Sequence, residues 1–237
     1  MSSFQKWLSP RPPRTDVSNL SILPGPQDSV LFEWIKAEKD GITQPVLQAT
    51  YDLSHPFNRD GHASPPLHIH LAQDEYFQVL KGSLGFVLNG KKGTLTPDTK
   101  PGLIPAGGRH TFWLDLESCD GKELIFHCWV SPHQVEHGWD ELFFRNFQAY
   151  LADCARYGMK PSRFQTALFR YEAGTVLTPS FWLPKCLLRG YNYILAYWIG
   201  ESLLGSQYPE YGPLIPRGSQ TSNEDMLEKL WTQLRKL

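Results

Sequence analysis

The sequence predicts a mainly β protein, an antiparallel barrel or sandwich that is followed by a helical segment. Three observations predict this class: short apolar runs fill the first half of the chain, hairpin-type dipeptides separate them, and the second half changes to helical spacing. Gly and Pro, 19 of each among 237 residues, favour short strands and loops over a helical bundle. A chain of this length can bury a sizeable core without disulfides or a structural metal.

Eight apolar runs between Ser29 and His133 are predicted as strands. In chain order they read SVLFEWIKA, PVLQATYDLS, LHIHL, EYFQVLKG, LGFVLNG, LIPAG, HTFWLDLE and LIFHCWVS. Turn dipeptides such as Asn89-Gly90 and Asp120-Gly121 lie between the runs, as hairpins require. So many short strands in so short a segment indicate a closed or double-sheet antiparallel architecture.

The pattern changes after Trp139. The segment WDELFFRNFQAYLADCARYG has apolar residues at helical spacing and ends at Gly158, as a helix C-terminus does. Two further helices are predicted in LLRGYNYILAYWIGESLL and in NEDMLEKLWTQLRKL, which closes the chain. We therefore predict an N-terminal arm over 1–28, a β-barrel over 29–135 and a helical C-terminal extension over 136–237.

Charge and cysteine content exclude several classes of protein. Lys and Arg number 23 against 24 Asp and Glu, so the net charge of −1 gives no field that would attract nucleic acid. The four cysteines form no C-x-x-C pair and are expected as reduced thiols. The N-terminus lacks the apolar region of a secretory signal, so a cytoplasmic protein is expected.

The stretch 181–204 mixes apolar, aromatic and basic residues. Arg189, Asn192 and Glu201 interrupt it, so a membrane span is not expected. We expect a helix that docks on the barrel or on a second subunit, with peripheral membrane contact through 181–204 as the alternative. Exposed strand edges favour a homodimer.

Histidines mark the candidate site. All eight lie between His55 and His137, a segment that falls almost entirely within the predicted barrel. His68 and His70 are two residues apart on one strand and so point to the same face, Glu75 opens the next strand, and His110 opens a later one. Three imidazoles and a carboxylate from three strands have the form of a metal site, and a buried glutamate beside three imidazoles would be costly without a cation.

These residues carry a resemblance to a known family. HIHLAQDEYFQVLKG resembles the first cupin motif, with H-x-H, four residues, E, six residues and G, and PAGGRH resembles the second, P-x-G-x-x-H. Leu114 stands where the second motif ends in Asn. The resemblance implies a cupin-type double-stranded β-barrel, or jelly roll, with metal ligands His68, His70, Glu75 and His110. In its overall sequence pattern the chain is similar to single-barrel cupins of fungal natural-product pathways, that is, of secondary metabolism.

Strand alternation predicts the walls of a pocket around the ion. Phe77 and Val79 share a face with Glu75, and Phe112 shares one with His110; Tyr51 and Gln48 are expected as polar lining. No G-x-S-x-G elbow, Walker loop or G-x-G-x-x-G motif is present, so only the histidine cluster can carry catalysis.

The expected function is that of a metal-dependent cupin oxidoreductase, dioxygenase-like, which oxygenates or oxidatively rearranges a small polyketide-like or phenolic molecule. Fe(II) is the metal expected first, with Mn(II), Ni(II) or Zn(II) as alternatives, and Glu75 and His110 are the expected catalytic residues. One alternative is an isomerase, cyclase or decarboxylase that does not use dioxygen. Another is a non-catalytic barrel that binds a small molecule.

Overall fold

The computed structural model describes residues 9, 11–17, 19–39, 41–119, 121–179, 181 and 183–206. The helix predicted in NEDMLEKLWTQLRKL lies outside the described residues.

The described chain is mainly β, as the sequence predicts. Its strands are β1 Ile22–Pro24, β2 Val30–Lys39, β3 Ile42–Asp52, β4 His68–His70, β5 Asp74–Lys81, β6 Leu84–Leu88, β7 Lys91–Leu95, β8 Gly102–Ile104, β9 His110–Leu114, β10 Glu123–Ser131 and β11 Thr175–Leu177. Its α-helices are α1 Pro56–Arg59, α2 Glu141–Arg156, α3 Arg163–Glu172 and α4 Lys185–Tyr193, and α4 continues as a π-helical segment, Ile194–Leu203. A short 3₁₀ turn covers Pro26–Asp28.

The strands form two antiparallel sheets that pack on a common core. One sheet has the order β1-β2-β3-β10-β5-β8 and the other β11-β4-β9-β6-β7. Phe77 and Phe126 of the first sheet belong to the same buried cluster as Leu84 and Leu114 of the second. This double-sheet arrangement confirms the predicted jelly-roll class.

Three strands have no counterpart among the predicted runs. β7 carries one buried apolar residue, Leu95, and pairs with β6 across the tight turn at Asn89 and Gly90, both of which have positive φ. β1 and β11 are three residues long, too short for alternation to be detected. β11 pairs with β4, so a segment beyond residue 136 contributes a strand beside His68 and His70. The predicted division at 28 and 135 stays a prediction.

Helix α2 packs its apolar face against the first sheet. Asp140 begins the helix by accepting a hydrogen bond from the backbone N–H of Phe143 at 2.7 Å. The ring centroids of Phe144 and Phe32 of β2 are 4.7 Å apart, and those of Trp139 and Trp34 are 5.4 Å apart. Aromatic contacts of this kind attach the helix to the sheet.

The surface near the end of the described chain is rich in exposed apolar side chains. They are Phe181, Leu187, Tyr191, Tyr193, Ile194, Trp198 and Leu203. Within the ranges given above, no helix is both long and apolar enough to cross a membrane.

Candidate metal centre

Two of the candidate ligands come from the short strand β4. His68, Ile69 and His70 are all buried, and alternation along the strand separates them onto two faces. Ile69 packs with Val176 of β11 and Leu188 of α4 on the outer face. The two imidazoles consequently point together into the space between the sheets.

The other two candidate ligands come from neighbouring strands. His110, the first residue of β9, lies directly opposite His68 in the register of the second sheet. Glu75 lies on β5 in the first sheet. One donor atom from each of His68, His70, Glu75 and His110 lies within 4.8 Å of the others, and all four residues are buried. The structure thus brings together the four residues that the motifs single out.

The loops that hold these strands explain the glycines of the two motifs. Gly82 ends β5 with φ of +86°, and a Cβ there would lie 3.0 Å from the backbone oxygen of Glu123. Gly107, with φ of +76°, donates its backbone N–H to the carbonyl of His70 at 2.7 Å. This bond ties the loop before His110 to the strand that carries the other two histidines.

The central atoms of the cluster are buried and lack hydrogen-bond partners within the described residues. They are His70 Nε2, His110 Nε2 and Glu75 Oε2. Glu75 Oε2 lies 3.5 Å from His70 Nε2 and 3.0 Å from His110 Nε2, without the angles of a hydrogen bond. Buried polar atoms without partners are costly, and here they converge on one point, so the residues present fit a divalent metal ion.

Each imidazole is oriented by a contact at its other nitrogen. Nδ1 of His68 lies 2.8 Å from the carbonyl of Pro66, and Nδ1 of His110 lies 3.0 Å from the carbonyl of Gly108. A carbonyl can only accept, so in both rings Nδ1 carries the proton and Nε2 keeps its lone pair for a metal. Nδ1 of His70 lies 3.1 Å from the hydroxyl oxygen of Thr175.

Glu75 is held by a contact that the sequence analysis did not anticipate. The Cys128 thiol of β10 donates to Oε1 of Glu75 at 3.5 Å, which leaves Oε2 for the centre. Burial by itself raises the pKa of the Glu75 carboxyl, but the neighbouring His70 and His110 outweigh burial and hold it well below its usual range. The carboxylate is therefore ionised at neutral pH.

The two flanking histidines have pKa values displaced in opposite directions. Burial, reinforced by His110 and His70, lowers the pKa of His68 well below its usual value. Burial also acts to lower the pKa of His110, but the adjacent Glu75 carboxylate outweighs it and raises that pKa. In the metal-free protein, His110 is accordingly the stronger base of the two.

The cluster opens into an apolar cavity of about 650 Å³ between the sheets and helices α2 and α3. His68, His70 and Glu75 line it. Of the residues predicted to line a substrate pocket, Phe77, Phe112 and Tyr51 do so. Phe77 and Phe112 lie with their ring centroids 5.4 Å apart.

The cavity lining does not include Gln48 or Val79, the other two predicted lining residues. Gln48 lies between Leu47 and Ala49, which face the cavity, so alternation turns its amide to the other face, where it meets His127 at 3.2 Å. Val79 shares a face with Glu75 and is buried, but it lies four residues further along β5, about 13 Å away, and packs in the core beyond the cavity.

Three residues of this region were missed by the sequence analysis. Cys128 alternates with Leu124 and Phe126 on the inward face of β10, and this alternation is a signal of its position in the sequence. Arg170 is a basic residue within an apolar stretch of helix, which could have been noticed. Thr175 gave no signal, because its contact with His70 depends on the pairing of β11 with β4.

Two antiparallel sheets bring three histidines and one glutamate to a common point, which is the cupin-type fold and ligand arrangement that the two motifs predict. No protein-family model matches the chain. Among solved structures that it resembles is KdgF from Halomonas sp., with 18% identity over 46% of this chain and 83% of that chain, and a TM-score of 0.33.

Sequence relatives place the chain more narrowly. The probable oxidoreductase virH of Hypocrea virens is 41% identical over 211 residues, covering 88% of this chain and 94% of virH. The oxidoreductase iacF of Pestalotiopsis fici is 38% identical over 207 residues, covering 86% of this chain and 98% of iacF. The chain therefore belongs to the family of fungal oxidoreductases that includes virH and iacF.

Proposed function

We propose that the protein is a metal-dependent oxidoreductase that oxygenates or oxidatively rearranges a small polyketide-like or phenolic molecule. The observation that carries the proposal is the convergence of His70 Nε2, His110 Nε2 and Glu75 Oε2, buried and without hydrogen-bond partners, beside an apolar cavity that His70 and Glu75 line. The names of the relatives, both oxidoreductases, support redox chemistry.

Imidazole nitrogens and a carboxylate oxygen suit Fe(II), Mn(II), Ni(II) and Zn(II) alike. We propose Fe(II) first, because the relatives are named oxidoreductases and Fe(II) is redox-active. The ion would be held by His68, His70, Glu75 and His110, and would supply Lewis acidity and, where redox-active, reactivity toward dioxygen. Glu75 contributes its ionised carboxylate, which reduces the net charge of the site, and the Nδ1 contacts of His68 and His110 keep the rings in the ligating tautomer.

The cavity wall supports an aromatic or otherwise planar apolar substrate. Phe77, Phe112 and Phe126 form a mutually packed group with centroid separations of 5.4 to 5.9 Å. Such a wall binds a ring by burial of apolar area and excludes water from the reacting atoms. Tyr51 stacks on Phe126, and burial raises the pKa of its phenol, so this residue offers a neutral hydroxyl rather than a base.

Metal content tests the first half of the proposal. Protein purified without a histidine tag is expected to carry close to one ion per chain, and His110→Ala to lose it. His127→Ala is the matched control, since His127 also lies on a buried strand but faces Gln48 instead of the cluster. Less than about a tenth of an ion per chain, with no gain on reconstitution, would contradict the proposal.

Oxygen consumption tests the second half. With phenolic and β-diketone candidates, the metal-loaded protein is expected to consume dioxygen, and His110→Ala to consume none above background. Turnover of a substrate without oxygen uptake would instead identify an isomerase, cyclase or decarboxylase. Binding without turnover of any candidate would support the non-catalytic barrel.

A further inference from the structure

A positive charge lines the same cavity and takes no part in the metal cluster. Arg170 lies in the last turn of α3, and its side chain is one of the cavity walls together with His68, His70 and Glu75. Its guanidinium carbon lies 5.1 Å from the ring centroid of Phe147 on α2. This cation–π contact places the guanidinium over an aromatic ring.

The guanidinium of Arg170 has no hydrogen bond or ion pair with any described residue. Arg145 and Arg109, by contrast, have such partners: Arg145 pairs with Glu141 at 2.7 Å, and Arg109 donates to the carbonyls of Phe181 and Leu183. The Arg170 nitrogens are not fully enclosed by protein atoms. The Arg170 side chain is half-buried and belongs to the cavity lining, so a ligand in the cavity lies beside it.

Burial lowers the pKa of Arg170 to about 10, which still leaves the group cationic at neutral pH. Among the described residues that line the cavity, Glu75 is the single acid, and its carboxylate belongs to the metal cluster. A cation in an apolar cavity is costly unless an anion pairs with it. A position in the last turn of a helix favours a cation, but this effect does not require the side chain to be turned into a cavity.

We infer that Arg170 binds a carboxylate of the substrate. The substrate class is accordingly an aromatic or polyketide-like carboxylate, with its anionic end at Arg170 and its apolar body along the cavity wall. The inference rests on the proposed function insofar as the cavity is taken to be the substrate site. The guanidinium fork of Arg170 matches a carboxylate bidentately. Lys160, the other Lys or Arg of the cavity lining, is exposed, so it stays hydrated and is not needed to pair a carboxylate held at Arg170.

The test compares two probes that differ in charge, 2-naphthoate and 2-naphthamide, whose affinities are measured by calorimetry on the full chain as purified. The wild-type protein is expected to bind the carboxylate roughly ten- to a hundredfold more tightly than the amide. In Arg170→Gln this ratio is expected to fall to about one, because the charge-assisted hydrogen bonds are gone while the apolar contacts remain. Arg170→Lys, which keeps the charge but not the fork, is expected to give an intermediate ratio.

Arg163→Gln is the matched control. Arg163 begins the same helix but is exposed and does not line the cavity, so its removal is expected to leave the ratio at the wild-type value. Equal binding of the two probes by the wild-type protein overturns the inference, and so does an unchanged ratio in Arg170→Gln or in Arg170→Lys.

The readout is independent of turnover. A charge preference that depends on Arg170 in a protein without oxygen uptake would uphold this inference and contradict the proposed oxygenation. Oxygen uptake by a protein that binds the two probes equally would support the proposed oxygenation and contradict this inference.

Discussion

The hydroxyl oxygen of Thr175 lies 3.1 Å from Nδ1 of His70, although the two residues are 105 positions apart in the chain. The same hydroxyl is 3.4 Å from the carbonyl of Ala173, which accepts its proton. The Thr175 oxygen therefore accepts from Nδ1–H of His70, and Nε2 of that ring is left for a metal. A strand that follows two helices thus orients a ligand of the barrel.

Replacing Thr175 is expected to weaken metal binding without removing a ligand. Thr175→Val keeps the shape of the side chain but lets the His70 ring change tautomer and orientation, so metal affinity is expected to fall about ten- to a hundredfold. Thr175→Ser should restore most of it. Competition with a chromophoric chelator measures the affinity. Thr178→Val is the control, because the hydroxyl of Thr178 donates to the carbonyl of Pro179 and not to a ligand. Equal losses of metal affinity in the two valine variants would contradict the role assigned to Thr175.

Cys128 is expected to resist alkylation in the folded protein. Burial, followed by the nearby Glu75 carboxylate, raises the pKa of the Cys128 thiol well above its usual value, so the reactive thiolate is scarce. Iodoacetamide at mildly alkaline pH should label the exposed Cys186 first and Cys128 only after unfolding. Peptide mass mapping follows each site. Comparable labelling rates for the two cysteines in the native protein would show that the thiol does not hold Glu75.

Metal binding is expected to weaken as the pH falls, with the release of about one proton per ion. The pKa of His110 is raised by Glu75, so in the metal-free protein this ring still holds a proton near and somewhat above the ordinary histidine pKa. An incoming ion must displace that proton, whereas burial keeps His68 neutral and Glu75 is ionised. Affinities measured from mildly acidic to mildly alkaline pH should therefore rise with pH and level off above the raised pKa of His110. Affinity independent of pH across this range would contradict the assignment.

Peripheral membrane contact through 181–204 stays a prediction, and the exposed apolar side chains of α4 and the π-helical segment provide its test. Trp198→Ser removes an indole that is 67% exposed, and it is expected to reduce sedimentation with anionic liposomes. Leu103→Ser, an exposed apolar residue on β8, is the control. If pelleting is equal for all three proteins, the segment does not bind the bilayer.

Light scattering on the same variants tests the predicted homodimer. Trp198→Ser should dissociate the dimer if the exposed apolar face of 181–204 joins two copies.

Much of the fold was predictable because the signals are local. The alternation of apolar residues within EYFQVLKG and LIFHCWVS depends only on neighbouring residues, and it correctly predicts the two strands that pair as β5 and β10. The predicted helix after Trp139 is present as α2, and it ends at Arg156, just before the Gly158 at which the sequence predicts its end. Helix α3 is absent from the predicted helices, although Phe164, Ala167, Leu168 and Tyr171 of its run RFQTALFRYE stand at helical spacing.

Strand parity likewise predicts part, but not all, of the placement of the pocket residues. Parity correctly separates inward Phe77 from its neighbours, but it cannot say how far along a strand the cavity extends, which is why Val79 lies beyond it. Gln48 and Tyr51 are three residues apart on β3 and so face opposite sides of the sheet, which means that the two cannot both line the cavity.

The sequence by itself determined which four side chains form the cluster, because their spacing within two short motifs is a local property of the strands and turns that carry them. Only the tertiary structure decided what surrounds those side chains. Thr175 behind His70, Cys128 against Glu75 and Arg170 in the cavity wall are brought there by strand pairing and helix packing between distant segments. Such contacts depend on the summed free energy of the whole core, and no periodicity within a single segment encodes them.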